Sequence, residues 1–279
     1  VKLVLDVGGT SIRAEIYEHG MCVSTLHAKS REKGLAAYIE EILLTHAAIK
    51  LVCISYAGQV RDGVILSAPN ITVDRHDITR YFAAKYGIEV LIENDLNCAL
   101  LAEAKEHDSD DICAVYVGTG LGLGVKSGGG LIRGASSVAT ELGHIPYKKA
   151  PFSCGCGRDS CIELFASGSA LEKWSRYYLI GSCELDALRR SEAAHAKEIY
   201  EEFLNALLVA LGTVITLFNP KVLVLGGGVM ENNPFLYETI LKKIPLYALG
   251  ASLEGIAILQ TNIKDAPLKG AYLLKDTNE

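Results

Sequence analysis

At 279 residues, with 49% hydrophobic and 22% charged residues, the chain exceeds the usual size of one hydrophobic core, so two α/β domains are expected. A formal net charge of -6, with lysine and arginine spread along the sequence, leaves no basic footprint for a phosphate backbone and excludes nucleic acid as an expected partner. The opening residues "VKLVLDVGGT" meet an aspartate before any apolar stretch of signal-peptide length, and the most apolar segment, Ala206 to Phe218, is too short to span a bilayer; a cytoplasmic protein with no membrane partner is expected.

Lys2 to Val7 is a short apolar run, and the residues after it alternate, with Ile12, Ala14 and Ile16 apolar against Ser11, Arg13 and Glu15. This predicts a β-hairpin turning at Gly8, Gly9 and Thr10. A helix is expected around Leu35 to His46, then a strand over Leu51 to Ser55 and a turn-rich segment "RDGVILSAPN". The strand "EVLIEN" delivers Asn94 and Asp95 to the start of a helix running to His107, and strand ends feeding helix starts are where α/β proteins place their chemistry. The acidic patch His107 to Asp111 marks the expected boundary between a first domain, 1–111, and a second, 112–264; a helix over about 265–279 is expected to pack back on the first.

The second half opens on "ICAVYV" and "GTGLGLGV", where Gly118, Gly120, Gly122 and Gly124 recur with the period of a strand. Both halves thus begin with an apolar strand, a Gly/Thr turn and a second strand, which suggests one duplicated unit. Further on, Ile199, Phe203, Leu207 and Leu211 fall four apart in a long amphipathic helix. The strand "KVLVLGGGV" follows, and Asn233-Pro234 is expected to supply an N-cap and a first-turn proline.

Glycine after a buried strand lets a phosphate approach backbone N–H groups that a side chain would shield. Three such turns point to a nucleotide, although any one of them alone could be a plain tight hairpin. The chain has no Gly-Lys pair, so it holds no G-x-x-x-x-G-K-[ST] loop, and its alternating glycines do not fit the G-x-G-x-x-G spacing.

"LDVGGTSIR", "IEND", "GTGLG", "ELGH", "CGCGRDSCIE" and "LGGGV" occur in this order from Leu5 to Val229, and together they resemble the ROK family of repressors and sugar kinases. The resemblance implies the actin-like ATPase fold: two α/β domains of ribonuclease H-like topology around a cleft, often as a homodimer. Within the family, "SAPNI", "ELGHIPY" and "LFNPKVLVLGGGVM" resemble members acting on allose, and "ISYAGQVRDGVIL" resembles those acting on N-acetylmannosamine.

Of the eight cysteines, Cys22, Cys53, Cys98, Cys113 and Cys183 are scattered and are expected to be reduced thiols. His144, Cys154, Cys156 and Cys161 instead make one nitrogen and three sulfur ligands, a full tetrahedral set for structural zinc. A disulfide is the alternative, opposed by a cytoplasmic setting and by the single residue between Cys154 and Cys156. A metal on one ring nitrogen of His144 would aim the other in a fixed direction, and the family resemblance implies that it meets a sugar hydroxyl.

The same resemblance implies sugar contacts from Glu141, Glu163 and Asn94, and from the backbone of Gly58; the two glutamates would otherwise read as solvated surface residues. Asp95 is the implied general base, taking the proton of the 6-hydroxyl of a hexose as that oxygen attacks the γ-phosphate of ATP; its plain alternative is a helix N-cap. Asp6 would hold Mg²⁺ through water. Gly9, Thr10, Ser11 and Arg13 on the first hairpin, with Thr119 and Gly120 on the second, would cradle the phosphates of Mg-ATP, and Gly227 and Gly228 would lie against the adenosine. Arg13 could instead be an exposed strand residue.

The implied function is an ATP-dependent hexose kinase acting on an aldohexose such as allose or glucose, with N-acetylmannosamine or fructose as alternative substrates. A non-catalytic sugar-binding regulator is the rival. The family's repressors carry a helix-turn-helix before the first strand, whereas this sequence starts in that strand, so repression is not expected. The chain departs from the family at Ala57, where many members have proline before the glycine, and at Ser160, where glycine is usual.

Overall fold

The computed structural model of the protein describes residues 1–67 and 71–276. Most of the "SAPNI" segment, and the last residues of the helix expected over 265–279, lie outside the described residues. The chain forms two compact units: Val1–Glu106 with Arg133–Ala139 and the stretch from Ile263 onward, and His107–Ile132 with Thr140–Asn262. The break after Glu106 precedes the acidic patch, and the return of Arg133–Ala139 to the first unit has no marker in the sequence.

The first unit runs β1 (Lys2–Val7), β2 (Ser11–Glu18), β3 (Met21–Lys29), α1 (Leu35–Thr45), β4 (Leu51–Tyr56), β5 (Gln59–Arg61), β6 (Val64–Ser67), α2 (Ile78–Tyr86), β7 (Glu89–Asn94) and α3 (Asp95–Glu106). Its sheet has the order β3-β2-β1-β4-β7. β1 lies in its middle with Leu3, Val4, Leu5 and Val7 all buried, as expected of a strand covered on both faces. β2 buries only Ile12, Ala14 and Ile16, the alternation of a strand near the edge. The expected first hairpin forms, with Gly8 N–H donating to Ser11 O at 3.0 Å across the turn.

The segment read as turn-rich is itself a hairpin of β5 and β6. Its turn residues Asp62 and Gly63 have φ of 49° and 79°, the Asp-Gly signature of a two-residue turn. Gly34 at the start of α1 has no side chain to cap it; Asp74, far along the chain, accepts from Ala36 N at 3.1 Å and Ala37 N at 2.9 Å instead. The helix Ala266–Tyr272 returns to the unit and crosses α3 so closely that a Cβ on Gly270 would meet Cys98 O at 1.6 Å.

The second unit repeats the plan. Its strands are β8 (Ile112–Val117), β9 (Leu121–Ser127), β10 (Gly130–Leu131), β11 (Val222–Gly226) and β12 (Ala257–Gln260), in the order β10-β9-β8-β11-β12. In both sheets the first three strands in sequence form an antiparallel meander, and two later strands add in parallel beside the first of them. This is the duplication that the two Gly/Thr turns suggest.

The helices of this unit are α4 (Gly168–Tyr177), α5 (Leu185–Arg190), α6 (Ala194–Phe218), α7 (Gly228–Glu231), α8 (Pro234–Lys243) and α9 (Gly250–Leu253). The apolar Ala206 to Phe218 is the second half of α6, whose 25 residues give a helix long and apolar enough to cross a bilayer. Here α6 buries Ile199, Phe203, Leu207 and Leu211 in the core of its own unit. Asn233 does stand before α8, but makes no side-chain cap; its Nδ2 donates to Val229 O at 2.8 Å instead. Each unit has a separate apolar core.

Candidate active site and metal centre

In the first unit, strand register gathers the polar groups. Asp6, near the end of β1, is paired with Arg13 on β2 and with Ser55 on β4. Ser55 donates its hydroxyl to Asp6 Oδ1 at 2.8 Å. Burial raises the Asp6 carboxyl above its ordinary range and Asp265 adds to this, while the Ser55 bond and Arg13 pull the other way. The β1–β2 turn is held by Ser30, whose hydroxyl donates to Gly8 O and whose N–H donates to Thr10 O at 3.2 Å. Thr10 and Ser11 are exposed and Gly9 half-buried. Arg13 is not a plain exposed residue: its guanidinium pairs with Glu15 at 2.8 Å and Asp265 at 2.6 Å, so two carboxylates already engage it.

Asn94 and Asp95 stand where β7 hands over to α3. Asn94, not Asp95, caps the helix, its Oδ1 accepting from Leu96 N at 3.0 Å and Asn97 N at 3.4 Å. Its Nδ2 donates to Gly58 O at 3.1 Å, which joins two of the expected sugar residues. A Cβ on Gly58 would meet Ser67 O at 2.4 Å, so the backbone approach there requires glycine. Asp95 is the first residue of α3, and its Oδ1 accepts from Leu96 N at 3.0 Å. Burial, and then the negative charge of Asp6, push the Asp95 carboxyl up to about 6 against the pull of those N–H groups.

In the second unit, Gly118, Thr119 and Gly120 form the turn between β8 and β9, closed by Gly118 N–H to Gly120 O at 3.0 Å. Gly168 N–H donates to Gly118 O at 2.7 Å and Ser169 N–H to Thr119 O at 3.2 Å, so the start of α4 is laced to this turn. Gly227 has φ of 91°, and a Cβ on it would meet Val117 O at 2.6 Å. Thr119, Ser169, Glu172, Gly228 and Asn232 line a cavity of about 400 Å³. Two of these, Thr119 and Gly228, are expected nucleotide residues; Ser169, Glu172 and Asn232 are not flagged by the sequence, because nothing local separates them from ordinary helix residues.

His144, Cys154, Cys156 and Cys161 come together with their ligand atoms all within 4.8 Å of one another. His144 Nδ1 lies 3.5 Å from Cys154 Sγ, and Cys156 Sγ lies 3.4 Å from Cys161 Sγ, well beyond a disulfide bond. Tetrahedral zinc with Zn–S bonds of about 2.3 Å needs sulfurs roughly 3.8 Å apart, so the set fits such an ion. Backbone and side-chain N–H groups of Arg158 pull the Cys156 thiol down to about 6, toward the thiolate a metal requires.

His144 Nε2 lies 3.8 Å from Glu141 Oε2, and Glu141 is exposed. Glu163 is only half-buried but is no free surface residue. Its Oε2 accepts from Leu121 N at 3.0 Å beneath Gly120, where a Cβ would meet it at 2.6 Å, and its Oε1 accepts from Cys154 Sγ at 3.6 Å. This carboxylate therefore links the glycine turn to the cluster of His144 and the three cysteines within one unit.

The ROK family model matches residues 2–277. The chain is 35% identical over 207 residues to the N-acetyl-D-glucosamine kinase of Aliivibrio salmonicida (strain LFI1238), an alignment spanning 68% of each chain. Among solved structures, the ROK hexokinase from Thermus thermophilus matches with a TM-score of 0.81 at 28% identity over 99% of each chain. The ROK family glucokinase from Streptomyces griseus, solved in complex with glucose and AMPPNP, matches with a TM-score of 0.74 at 26% identity, again over 99% of each chain. The paired α/β sheets are those of the actin-like ATPase fold.

Proposed function

Because the chain belongs to the ROK family, we propose that it is an ATP-dependent sugar kinase that moves the γ-phosphate of Mg-ATP to the 6-hydroxyl of a hexose or of an N-acetylated hexosamine. The observation that carries this reading is the Asp95 carboxyl. Asn94 takes over the capping of α3, and burial with the charge of Asp6 places the Asp95 proton affinity at about 6, close to neutrality. A base tuned to that range suits proton abstraction from an alcohol at neutral pH.

In the proposed reaction the Asp95 carboxylate accepts the hydroxyl proton as the sugar oxygen bonds to the γ-phosphorus. The bond from that phosphorus to the bridging oxygen breaks, and ADP leaves with the electron pair. Asp6, its carboxylate oriented by Ser55, would hold the magnesium of Mg-ATP, which would neutralise charge on the phosphates. The β1–β2 turn at Gly9, Thr10 and Ser11 is the phosphate-binding turn of the first unit, and the β8–β9 turn at Thr119 and Gly120 is that of the second. The cavity lined by Gly228, Ser169 and Asn232 takes the nucleoside. Arg13, held by Glu15 and Asp265, supplies positive charge near Asp6 rather than a free phosphate hook.

His144, Cys154, Cys156 and Cys161 would hold a structural zinc, which supplies no redox or acid–base step and serves to stiffen the loop. With Nδ1 directed to the cluster, His144 Nε2 is left for a sugar hydroxyl beside Glu141 and Glu163. Within the first unit, Asn94 and the Gly58 backbone, already joined to each other, are the proposed sugar contacts.

The test is ADP release with Mg-ATP across glucose, allose, mannose, fructose, N-acetylglucosamine and N-acetylmannosamine, beside Asp95→Asn. Turnover on one of these sugars that falls about 10²- to 10⁴-fold in the variant is expected. Turnover unchanged by the substitution would remove Asp95 from the role of base.

A further inference from the structure

We infer that Glu93 and Arg133 are positioning residues for Asp95; the inference rests on Asp95 being the base. Glu93 precedes Asn94 at the end of β7 and is only 9% exposed. One of its oxygens, Oε1, accepts from the backbone N–H of Asn94 at 2.9 Å and from Asn97 Nδ2 at 2.9 Å. These donors flank Asp95 in sequence, one just before it and one on the same first turn of α3. The Glu93 carboxylate therefore holds the segment from which Asp95 projects at two points, the Asn94 backbone and the Asn97 side chain, without touching a reacting atom.

The other oxygen, Oε2, accepts from Arg133 Nε at 2.7 Å. A buried carboxylate oxygen left without a partner is costly. Arg133 meets that second oxygen while Asn94 and Asn97 occupy the first, so both ends of the carboxylate are held. It reaches Glu93 from Arg133–Ala139, the stretch that leaves the second unit in sequence and belongs to the first in space.

The Arg133 side chain is 42% exposed and lines a cavity of about 390 Å³ with Asp62, Thr79 and Ser137. The pair is open to solvent at its Arg133 end and buried at its Glu93 end. Its consequence is local, and a base displaced by a fraction of an ångström is enough to slow turnover severely.

The test measures kcat and both KM values for the parent protein, Arg133→Met, Arg133→Lys, Glu93→Gln and Asp95→Asn, each well below its melting temperature. Arg133→Met is expected to lower kcat about 10- to 100-fold with the KM for Mg-ATP within about threefold of the parent, and Arg133→Lys to recover most of that loss. Glu93→Gln is expected to lower kcat likewise, since an amide cannot accept from Asn94 and Asn97 with one end and from Arg133 with the other; it carries the test if Arg133→Met does not fold. A parental kcat in Arg133→Met and Glu93→Gln beside an inactive Asp95→Asn would overturn the inference and leave the base reading intact. A rise confined to the sugar KM would also overturn it, by making Arg133 a substrate contact. An active Asp95→Asn would instead sink the base reading itself.

Discussion

Asp95 carries two opposing demands, since it must be ionised to act as a base yet sits where burial and Asp6 disfavour its charge. Its folded value of about 6 lies above the ordinary range near 3.8, so kcat/KM is expected to fall roughly tenfold per unit as pH drops below about 6, and to level off above it. The same shift bears on stability. A raised carboxyl binds its proton more tightly in the folded state, so its favourable contribution is present at low pH and lost as pH rises through about 4 to 6. Asp95→Asn is therefore expected to raise unfolding stability at pH 7 by about 1–3 kcal/mol while removing activity, measured by denaturant titration at pH 4 and pH 7. Asp6 and Asp95 are legible in the sequence because both end strands beside turn or helix signals. Their controls are not: Ser55 and Glu93 look like ordinary strand residues until register sets Ser55 beside Asp6 and the start of α3 folds back over Glu93.

At the level of elements, glycine decides which backbones can meet. Gly227 links β11 to α7 with a positive φ and no room for a Cβ against Val117 O. Gly227→Ala is expected to cost about 1–3 kcal/mol in stability and to weaken Mg-ATP binding, read by thermal melts and by the KM for ATP. The sequence marks this glycine, but not why it is needed, because Val117 approaches from a different strand. The cysteine loop shows the opposite balance. Its ligand types and short spacings are legible directly, and the structure brings all four ligand atoms together. Cys161→Ser is expected to abolish stoichiometric zinc in the purified protein, measured by metal analysis; a full complement of zinc in that variant would count against the four-ligand centre. β3, α2 and the β5–β6 hairpin escape the sequence reading, since mixed polar patterns of modest length do not separate strand or helix from turn.

At the level of the whole molecule, the chain carries two sheets of one topology and a separate apolar core in each unit. Removal of zinc by a strong chelator is therefore expected to lower hydrogen-exchange protection in the second unit, around Leu142–His144 and Ile162–Leu164, and to leave β1 and β4 protected as before. Loss of protection spread evenly over both units would mean that the two unfold as one. Sequence alone settles the features that depend on a few neighbouring residues or on side-chain chemistry: the first hairpin, the glycine turns, the duplicated start of each half, the grouping of one histidine with three cysteines and the aspartate at the head of α3. Tertiary structure decides the partners that lie tens of residues apart, such as Gly58 against Asn94, Glu163 beneath Gly120, Arg133 on Glu93 and the helix Ala266–Tyr272 across α3. Sheet register and backbone crossings place these groups, and neither leaves a periodic trace in the residues that meet.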